Sequence, residues 1–253
     1  MTNAVTYPAG TPSWIDLMTP IPAQTHEFYA GLFGWDYEVR PQYGNYAMAS
    51  RHGKSAAGIM PMEPGAQMPS AWTVYFASDD LAADAERVRE LGGSAMMGPH
   101  QVGDQGHMAV FADPTGAAFG LWQAGQHRGA QATDGEGSLA WVQVNTPDSA
   151  RASAFYEALF HASSSSMEGM DYRQLQHGEQ PFAGVSGMMP EGAPPHWIAY
   201  FYASDVDATV KRAQEHGGKA LGETLDTPFG RMALLADPAG AAFWVMNPEP
   251  TSA

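Results

Sequence analysis

The sequence predicts an α+β protein made of two tandem copies of one domain, because it combines a long internal repeat with a regular order of elements. Residues 14–20 (WIDLMTP) return as residues 141–147 (WVQVNTP), 127 positions later (141 − 14). Residues 111–119 (FADPTGAAF) return as residues 235–243 (LADPAGAAF), 124 positions later (235 − 111). Since the two offsets are so similar, a whole domain is duplicated rather than a short motif.

The first half of copy one predicts a strand, a helix and two more strands. Residues 13–18 read as a strand that two prolines end, and residues 23–32 as a helix with apolar residues at helical spacing. Residues 46–49 and 56–60 read as strands on either side of a turn at residues 52–54 (HGK).

The second half of copy one repeats that order. Residues 72–77 predict a strand, and residues 81–91 predict a helix that two aspartates can cap and a Gly-Gly pair ends. Residues 108–111 and 118–122 predict strands that flank an Asp-Pro-Thr-Gly turn. Copy two follows the same plan, with helices at residues 149–160 and 207–216. Each copy thus reads as a strand, a helix and then several short strands, twice over, which we interpret as two βαβββ units.

The repeat also predicts the domain boundaries. Residues 11–124 form the first predicted domain and residues 138–248 the second. Between them, residues 125–137 (GQHRGAQATDGEG) are polar and glycine-rich and have no apolar period, which is typical of a linker.

Composition excludes several classes of function. The net charge is −15, with 12 basic and 27 acidic residues, so nucleic acid is not an expected partner. No apolar run approaches the roughly 20 residues of a membrane span, and no secretory signal is visible, so we expect a cytoplasmic protein without membrane contact. The expected partner is a neutral, aromatic or cationic small molecule, although the charge could serve solubility alone. A homodimer is compatible with the sequence.

Several short motifs, taken together, point to a known family. They are the run Phe28, Tyr29, Leu32, Phe33, Gly34 and Trp35, the helix that ends in Gly-Gly, and the Asp-Pro-Thr-Gly turn before a last strand. As a set they resemble the vicinal oxygen chelate superfamily of glyoxalases, bleomycin resistance proteins and extradiol dioxygenases, over residues 12–247. Within it, the chain is similar to the two-domain actinobacterial glyoxalase-like proteins of the mycobacterial culture-filtrate antigen type. The resemblance implies two tandem glyoxalase-like domains, each of paired βαβββ units whose mixed sheets form β cups.

The resemblance also implies where a metal would bind. Enzymes of the superfamily generally hold a divalent metal with His, Glu or Gln side chains that face into the cup. The matching positions here are Trp14, Thr73 and Gly120 in copy one, and Trp141, Ile198 and Trp244 in copy two. None of these side chains ligates a metal. His196 lies beside Trp197, but strand alternation groups it with Ile198, so a rim histidine is favoured over a ligand. We therefore expect no metal and no cofactor, and a metal-dependent glyoxalase or dioxygenase is disfavoured.

Strand alternation predicts instead an aromatic lining for the cups. The predicted ligand-binding residues are Trp14, Met18, Tyr75 and Trp122 in copy one, and Trp141, Gln143, Tyr200 and Trp244 in copy two. Such a surface suits stacking on a flat or extended organic ligand. The alternative is that these aromatic residues pack the core.

Asp16 is the predicted catalytic residue. A carboxylate between Trp14 and Met18 could act as a general acid or base, or could pair structurally at the rim. Gln143 at the matching position keeps polarity but not charge, so the two cups are expected to differ and the Asp16 cup is the better candidate for activity.

Two functions remain open from the sequence. The first is a metal-free protein that binds a hydrophobic or aromatic small metabolite for sequestration, resistance or carriage. The alternative is a metal-independent enzyme of secondary metabolism or aldehyde detoxification that uses Asp16 as acid or base.

Overall fold

Four βαβββ modules make up the computed structural model, which describes residues 5–189 and 192–248. Module 1 contains β1 (Pro12–Thr19), α1 (Pro22–Phe33), β2 (Asp36–Arg40), β3 (Tyr46–Arg51) and β4 (Lys54–Pro61). Module 2 contains β5 (Ala71–Ala77), α2 (Leu81–Glu90), β6 (Ser94–Val102), β7 (Gly106–Ala112) and β8 (Ala118–Ala124). Module 3 contains β9 (Leu139–Asn145), α3 (Ser149–Phe160), β10 (Ser163–Ser166), β11 (Tyr172–His177) and β12 (Gln180–Ser186). Module 4 contains β13 (His196–Tyr202), α4 (Val206–Glu215), β14 (Lys219–Ala220), β15 (Leu225–Thr227), β16 (Gly230–Ala236) and β17 (Ala242–Asn247).

Each copy of the repeat contributes one mixed sheet. The strands of copy one form an eight-stranded sheet in the order β2-β3-β4-β1-β5-β8-β7-β6. Copy two forms a nine-stranded sheet in the order β10-β11-β12-β9-β13-β17-β16-β14, with β15 paired to β16. In every module the first strand pairs in parallel with the last strand. The other strand pairs within each module are antiparallel. The predicted fold class, α+β with two tandem domains of βαβββ units, is confirmed.

The compact units of the structure do not coincide with the two copies. The first unit takes the described residues of Met1–Trp14, Thr73–Gly129 and Trp141–Ile198, and so joins module 2 to module 3. The second unit takes the described residues of Ile15–Trp72, Ala130–Ala140 and Ala199–Ala253, and so joins module 1 to module 4. Each hydrophobic core therefore contains elements of both copies.

A buried Trp-Tyr-Asp chain lies in the core of the first unit. The Tyr156 hydroxyl donates to Asp113 Oδ2 at 2.9 Å and accepts from Trp197 Nε1 at 2.8 Å. Asp113 Oδ1 in turn accepts backbone N–H groups of the turn, at 2.7 Å from Thr115 and 2.9 Å from Gly116. Burial and the nearby Asp113 raise the pKa of Tyr156 well above its usual range, so the phenol is protonated at neutral pH.

The second unit has the equivalent chain. The Tyr29 hydroxyl donates to Asp237 Oδ2 at 3.3 Å and accepts from Trp72 Nε1 at 3.2 Å. In both units the tyrosine belongs to one copy and the Asp-Pro turn to the other. This explains why both motifs occur in both copies: each turn binds the helix tyrosine of the other copy.

The predicted linker packs against both units by its backbone. Gly125 N donates to Gln105 O at 2.8 Å in the first unit, and Gln131 N donates to Ser55 O at 2.7 Å in the second. Near its end, the Glu136 carboxylate accepts from Arg212 at 2.7 Å. Among the described residues, no helix has the length and apolarity that a membrane span needs.

Candidate functional site

Asp16 and Met18, two of the predicted site residues of β1, lie on the sheet face turned away from the core. Ile15 and Leu17 are fully buried, whereas Asp16 and Met18 are partly exposed. This alternation follows the predicted parity and leaves Asp16 accessible to solvent.

A tyrosine covers the strand position beside Asp16, within the second unit. Asp16 pairs with Gly58 in the parallel ladder of β1 and β4. A Cβ on Gly58 would overlap the hydroxyl of Tyr46, so only glycine leaves room for this phenol. The Tyr46 hydroxyl therefore lies over the ladder next to the predicted catalytic carboxylate.

Module 3 of the first unit has the same arrangement around Gln143. Gln143 pairs with Gly184 of β12, and a Cβ on Gly184 would overlap the Tyr172 hydroxyl. Trp141 Nε1 donates to that hydroxyl at 3.1 Å. Burial raises the pKa of Tyr172, so this phenol remains protonated. Trp141 and Tyr172 thus form an aromatic wall beside Gln143, which is itself partly exposed.

The other two modules differ at one position of the sheet. In module 2, Tyr75 pairs with Gly120, and a Cβ on Gly120 would overlap the Tyr75 ring. In module 4, Tyr200 pairs with Trp244, and the two rings stack with centroids 5.7 Å apart and an interplanar angle of 9°. The glycine of one copy is thus a tryptophan in the other, and Trp244 is partly exposed.

Trp14 and Trp122 are covered by a histidine of the predicted linker, within the first unit. The His127 ring lies edge-on to Trp14 at 4.3 Å between centroids and 5.6 Å from Trp122. Trp122 Nε1 donates to the His127 carbonyl at 2.8 Å. The two tryptophans are only 4% and 7% exposed. A ligand that stacks on either indole would first have to displace His127.

A chain of polar side chains extends from Gln143 toward the start of β13. Gln143 Nε2 donates to Asn145 Oδ1 at 2.7 Å. Asn145 Nδ2 lies 3.1 Å from His196 Nε2, and His196 Nδ1 lies 2.9 Å from the Pro194 carbonyl. The histidine considered above as a metal ligand is therefore bonded through both ring nitrogens to protein groups.

The residues present do not fit the superfamily's metal site. The positions at which the resemblance implies ligands hold indole, aliphatic, glycine or threonine side chains. In residues 5–189 and 192–248, no group of three His, Cys, Asp or Glu side chains could hold a metal ion.

Sequence reasoning missed the residues that reach the site from neighbouring strands. The contacts of Tyr46 and Tyr172 were not predicted because each hydroxyl lies over a glycine of a neighbouring strand. The contacts of His127 were not predicted because this residue lies in the predicted linker. The available signal was the repeat itself. Residues 57–59 (AGI) and 183–185 (AGV) match at an offset of 126 (183 − 57), and the two tyrosines match at the same offset (172 − 46). The roles assigned to Asp16 and to the aromatic lining stay predictions.

Comparison with known proteins adds relatives of nearly the same length. The family model described as "Glyoxalase/Bleomycin resistance protein/Dioxygenase superfamily" matches residues 11–121 and 138–245. The chain is 42% identical to the protein named "Putative glyoxylase CFP32" of Mycobacterium tuberculosis, covering 96% of this chain and 97% of that protein. It is 41% identical to the "Anthracycline biosynthesis protein DnrV" of Streptomyces peucetius, covering 94% of this chain and 93% of that protein.

Solved structures share the fold at low sequence identity. The Mn(II)-bound glyoxalase from Novosphingobium aromaticivorans aligns with a TM-score of 0.67 at 14% identity, over 94% of this chain and 82% of that one. The 2,3-dioxygenase LapB from Pseudomonas sp. KL28 aligns with a TM-score of 0.67 at 12% identity, over 96% and 93% of the two chains. At these identities the likeness concerns the fold alone.

Proposed function

The chain belongs to the glyoxalase, bleomycin resistance protein and dioxygenase superfamily, and from that premise we propose that it binds a flat, hydrophobic or aromatic small metabolite without a protein-bound metal. The role that follows is sequestration, resistance or carriage of that metabolite.

The observation that carries this proposal is the aromatic pair of module 4. Trp244 stands at a position where the superfamily's enzymes would present a metal ligand, and it is stacked in parallel on Tyr200. An indole there offers a flat, polarisable face, which suits π-stacking and not chelation. Because Trp244 is partly exposed, a planar ligand can extend the existing stack.

The names of the relatives support an aromatic ligand. One relative of similar length is named for anthracycline biosynthesis. Anthracyclines are flat, polycyclic and rich in hydroxyl and carbonyl groups, which is the shape and polarity that an aromatic face with a few hydrogen-bonding groups accepts. We infer a ligand of this chemical class.

The test is calorimetric titration with a dihydroxyanthraquinone as probe. We expect saturable binding that a chelator leaves unchanged, and we expect Trp244→Ala to weaken it by about tenfold, which corresponds to about 1.4 kcal/mol. Leu221→Ala is the control, since it removes an exposed apolar side chain (49% exposed). The proposal is wrong if the probe does not bind, if both variants bind as well as wild type, or if binding requires a stoichiometric metal.

A specific observation favours one alternative, a metal-independent enzyme. Asp16 as acid or base gains a second proton-bearing group in Tyr46, whose hydroxyl lies over the glycine paired with Asp16. A carboxylate and a phenol near one substrate can serve as the base and the acid of a proton transfer.

Product analysis separates the two functions. If the protein is an enzyme, prolonged incubation changes the probe chemically, and Asp16→Asn and Tyr46→Phe each slow that change by about a hundredfold, the usual size of a general acid–base contribution. If the protein is a binder, the probe is recovered unchanged.

A further inference from the structure

The aromatic pair of module 4 has a direction across the sheet. Tyr200 and Trp244 are partners on the neighbouring strands β13 and β17, and their rings stack face to face at 5.7 Å with an interplanar angle of 9°. The second face of the Trp244 indole is therefore directed toward the next strand, β16. A planar ligand that continues this stack lies over β16.

The residues of β16 that such a ligand would contact are apolar. Leu234 pairs with Trp244, and Met232 pairs with Met246. Both Leu234 and Met232 are partly exposed, as Trp244 is, whereas Ala233 between them is buried. Two residues of a strand span about 7 Å, so both side chains can lie beneath one end of a tricyclic ring system. That end of the ligand meets methyl, methylene and thioether groups.

The other modules show that this arrangement is particular to module 4. In module 3 the equivalent row across three strands carries amides, being Gln143, Gly184 and Gln174. In module 2 the equivalent row is apolar but has a glycine in place of the indole, being Tyr75, Gly120 and Val110. Module 4 differs from both because it combines a partly exposed indole with an apolar neighbour on the next strand.

The apolar residues of β16 set a limit on the polarity of the ligand. A ligand hydroxyl pressed against Leu234 and Met232 would lose its contact with water and find no hydrogen-bonding side chain in either residue. A hydroxyl at the opposite end of the same ligand keeps its contact with water. The position of the hydroxyl groups, and not only their number, should therefore decide the affinity.

We propose that module 4 binds its ligand by an apolar end, and so selects flat aromatic compounds whose hydroxyl groups all lie at the opposite end. Leu234 and Met232 are the specificity-determining residues. This inference rests on the proposed function for the existence of the ligand, and adds which part of the ligand faces the sheet.

The experiment compares two isomers of dihydroxyanthraquinone by calorimetric titration, at a pH below the pKa of their phenols. One isomer carries both hydroxyl groups on one terminal ring, and the other carries one hydroxyl on each terminal ring. In both, the hydroxyl groups are remote from the carbonyl groups. Wild type is expected to prefer the first isomer by about tenfold or more, which corresponds to about 1.4 kcal/mol or more. Equal affinity for the two isomers overturns the inference and leaves the proposed function standing, whereas failure of both isomers to bind overturns both.

Two variants of nearly unchanged size test the assigned residues. Met232→Gln and Leu234→Asn place a hydrogen-bonding group beneath the ligand, so each should reduce the preference by about fivefold, and each should do so by binding the second isomer more tightly. A gain of affinity is a result that damage to the fold would not produce. Met108→Gln is the matched control, because Met108 pairs with Trp122 in module 2 as Met232 pairs with Met246 in module 4. An unchanged preference in Met232→Gln and Leu234→Asn, or an equal change in Met108→Gln, overturns the inference.

A measurement on wild type tests the orientation of the ligand directly. The methyl signal of Met232 is identified as the one that disappears in Met232→Gln. In the complex with the first isomer, nuclear Overhauser effects should connect this methyl group to protons of the unsubstituted ring. Effects to protons of the dihydroxy ring alone overturn the inference.

Discussion

Removing one hydroxyl from the core of the first unit should cost a large part of its stability. Tyr156→Phe keeps the ring and its packing but leaves Trp197 Nε1 and Asp113 Oδ2 without the hydroxyl that bridges them at 2.8 and 2.9 Å. Each stranded buried group costs about 1–3 kcal/mol. Asp113 Oδ1 keeps its backbone donors, so the carboxylate stays partly satisfied. We therefore expect a total loss of about 2–4 kcal/mol, measured by urea denaturation followed by fluorescence.

The second unit supplies the matched comparison for this variant. Tyr29→Phe removes bonds of 3.2 and 3.3 Å, which are longer and should be weaker, so its loss should be about half as large. The Trp197 indole proton should also exchange faster with solvent in Tyr156→Phe. A loss below about 1 kcal/mol in Tyr156→Phe would refute the view that this chain stabilises the core of its unit. A larger loss in Tyr29→Phe would refute the ranking of the two chains by bond length.

Three further predictions concern titration, packing and assembly. Burial lowers the pKa of His26 below its ordinary value of 6.5, so the folded protein holds this ring in its neutral form. As the pH falls below that value, the unfolded chain binds the proton more readily and the folded protein loses stability. His26→Gln should therefore reduce the drop in Tm between about pH 7.5 and pH 5, and an equal drop in the variant would contradict this prediction. A Cβ on Gly184 would overlap the Tyr172 hydroxyl, whereas nothing lies within 4 Å of a Cβ on Gly222. Gly184→Ala should therefore lower the free energy of unfolding in urea by about 1–3 kcal/mol, and Gly222→Ala should leave it almost unchanged. Similar losses in the two variants would argue that the Tyr172 ring does not pack over Gly184. Separating the two copies within the linker should give halves that are unfolded alone by circular dichroism but fold when mixed, and an independently folded half would oppose this.

The sequence predicts the elements whose pattern is local, and misses those that neighbours determine. Residues 149–160 have apolar residues at helical spacing and directly follow the capping residue Asp148, and α3 has the predicted bounds. By contrast, β10 is Ser163–Ser166, four serines with no alternation, and only the pairing with β11 makes it a strand. β6 (Ser94–Val102) is exposed along almost its whole length and gives no hydrophobic signal.

The same distinction applies to the candidate site. The parity of β1 places Asp16 on the accessible face, because a period of two is a local property of the strand. The phenol of Tyr46 over Gly58, and the imidazole of His127 between two indoles, are contacts between segments distant in sequence. No periodicity along the chain predicts these two contacts. The glycine that recurs as Gly58 and Gly184 does indicate where the tyrosine contact occurs.

The exchange of modules between the copies has a consequence for the history of the chain. A single copy would contain an Asp-Pro turn and a helix tyrosine that belong to different cores, so it could complete both cores only by pairing with a second molecule like itself. Joining two copies by residues 125–137 replaces that encounter with an intramolecular one, at an effective concentration that dilution cannot lower. Once the copies are joined, they no longer need to be identical. The Asp-Pro turn of each copy must still bind the helix tyrosine of the other copy. The sheet face that carries Asp16 or Gln143 takes no part in these contacts and can differ between the copies. One copy can then hold a carboxylate at Asp16 while the other holds an amide at Gln143.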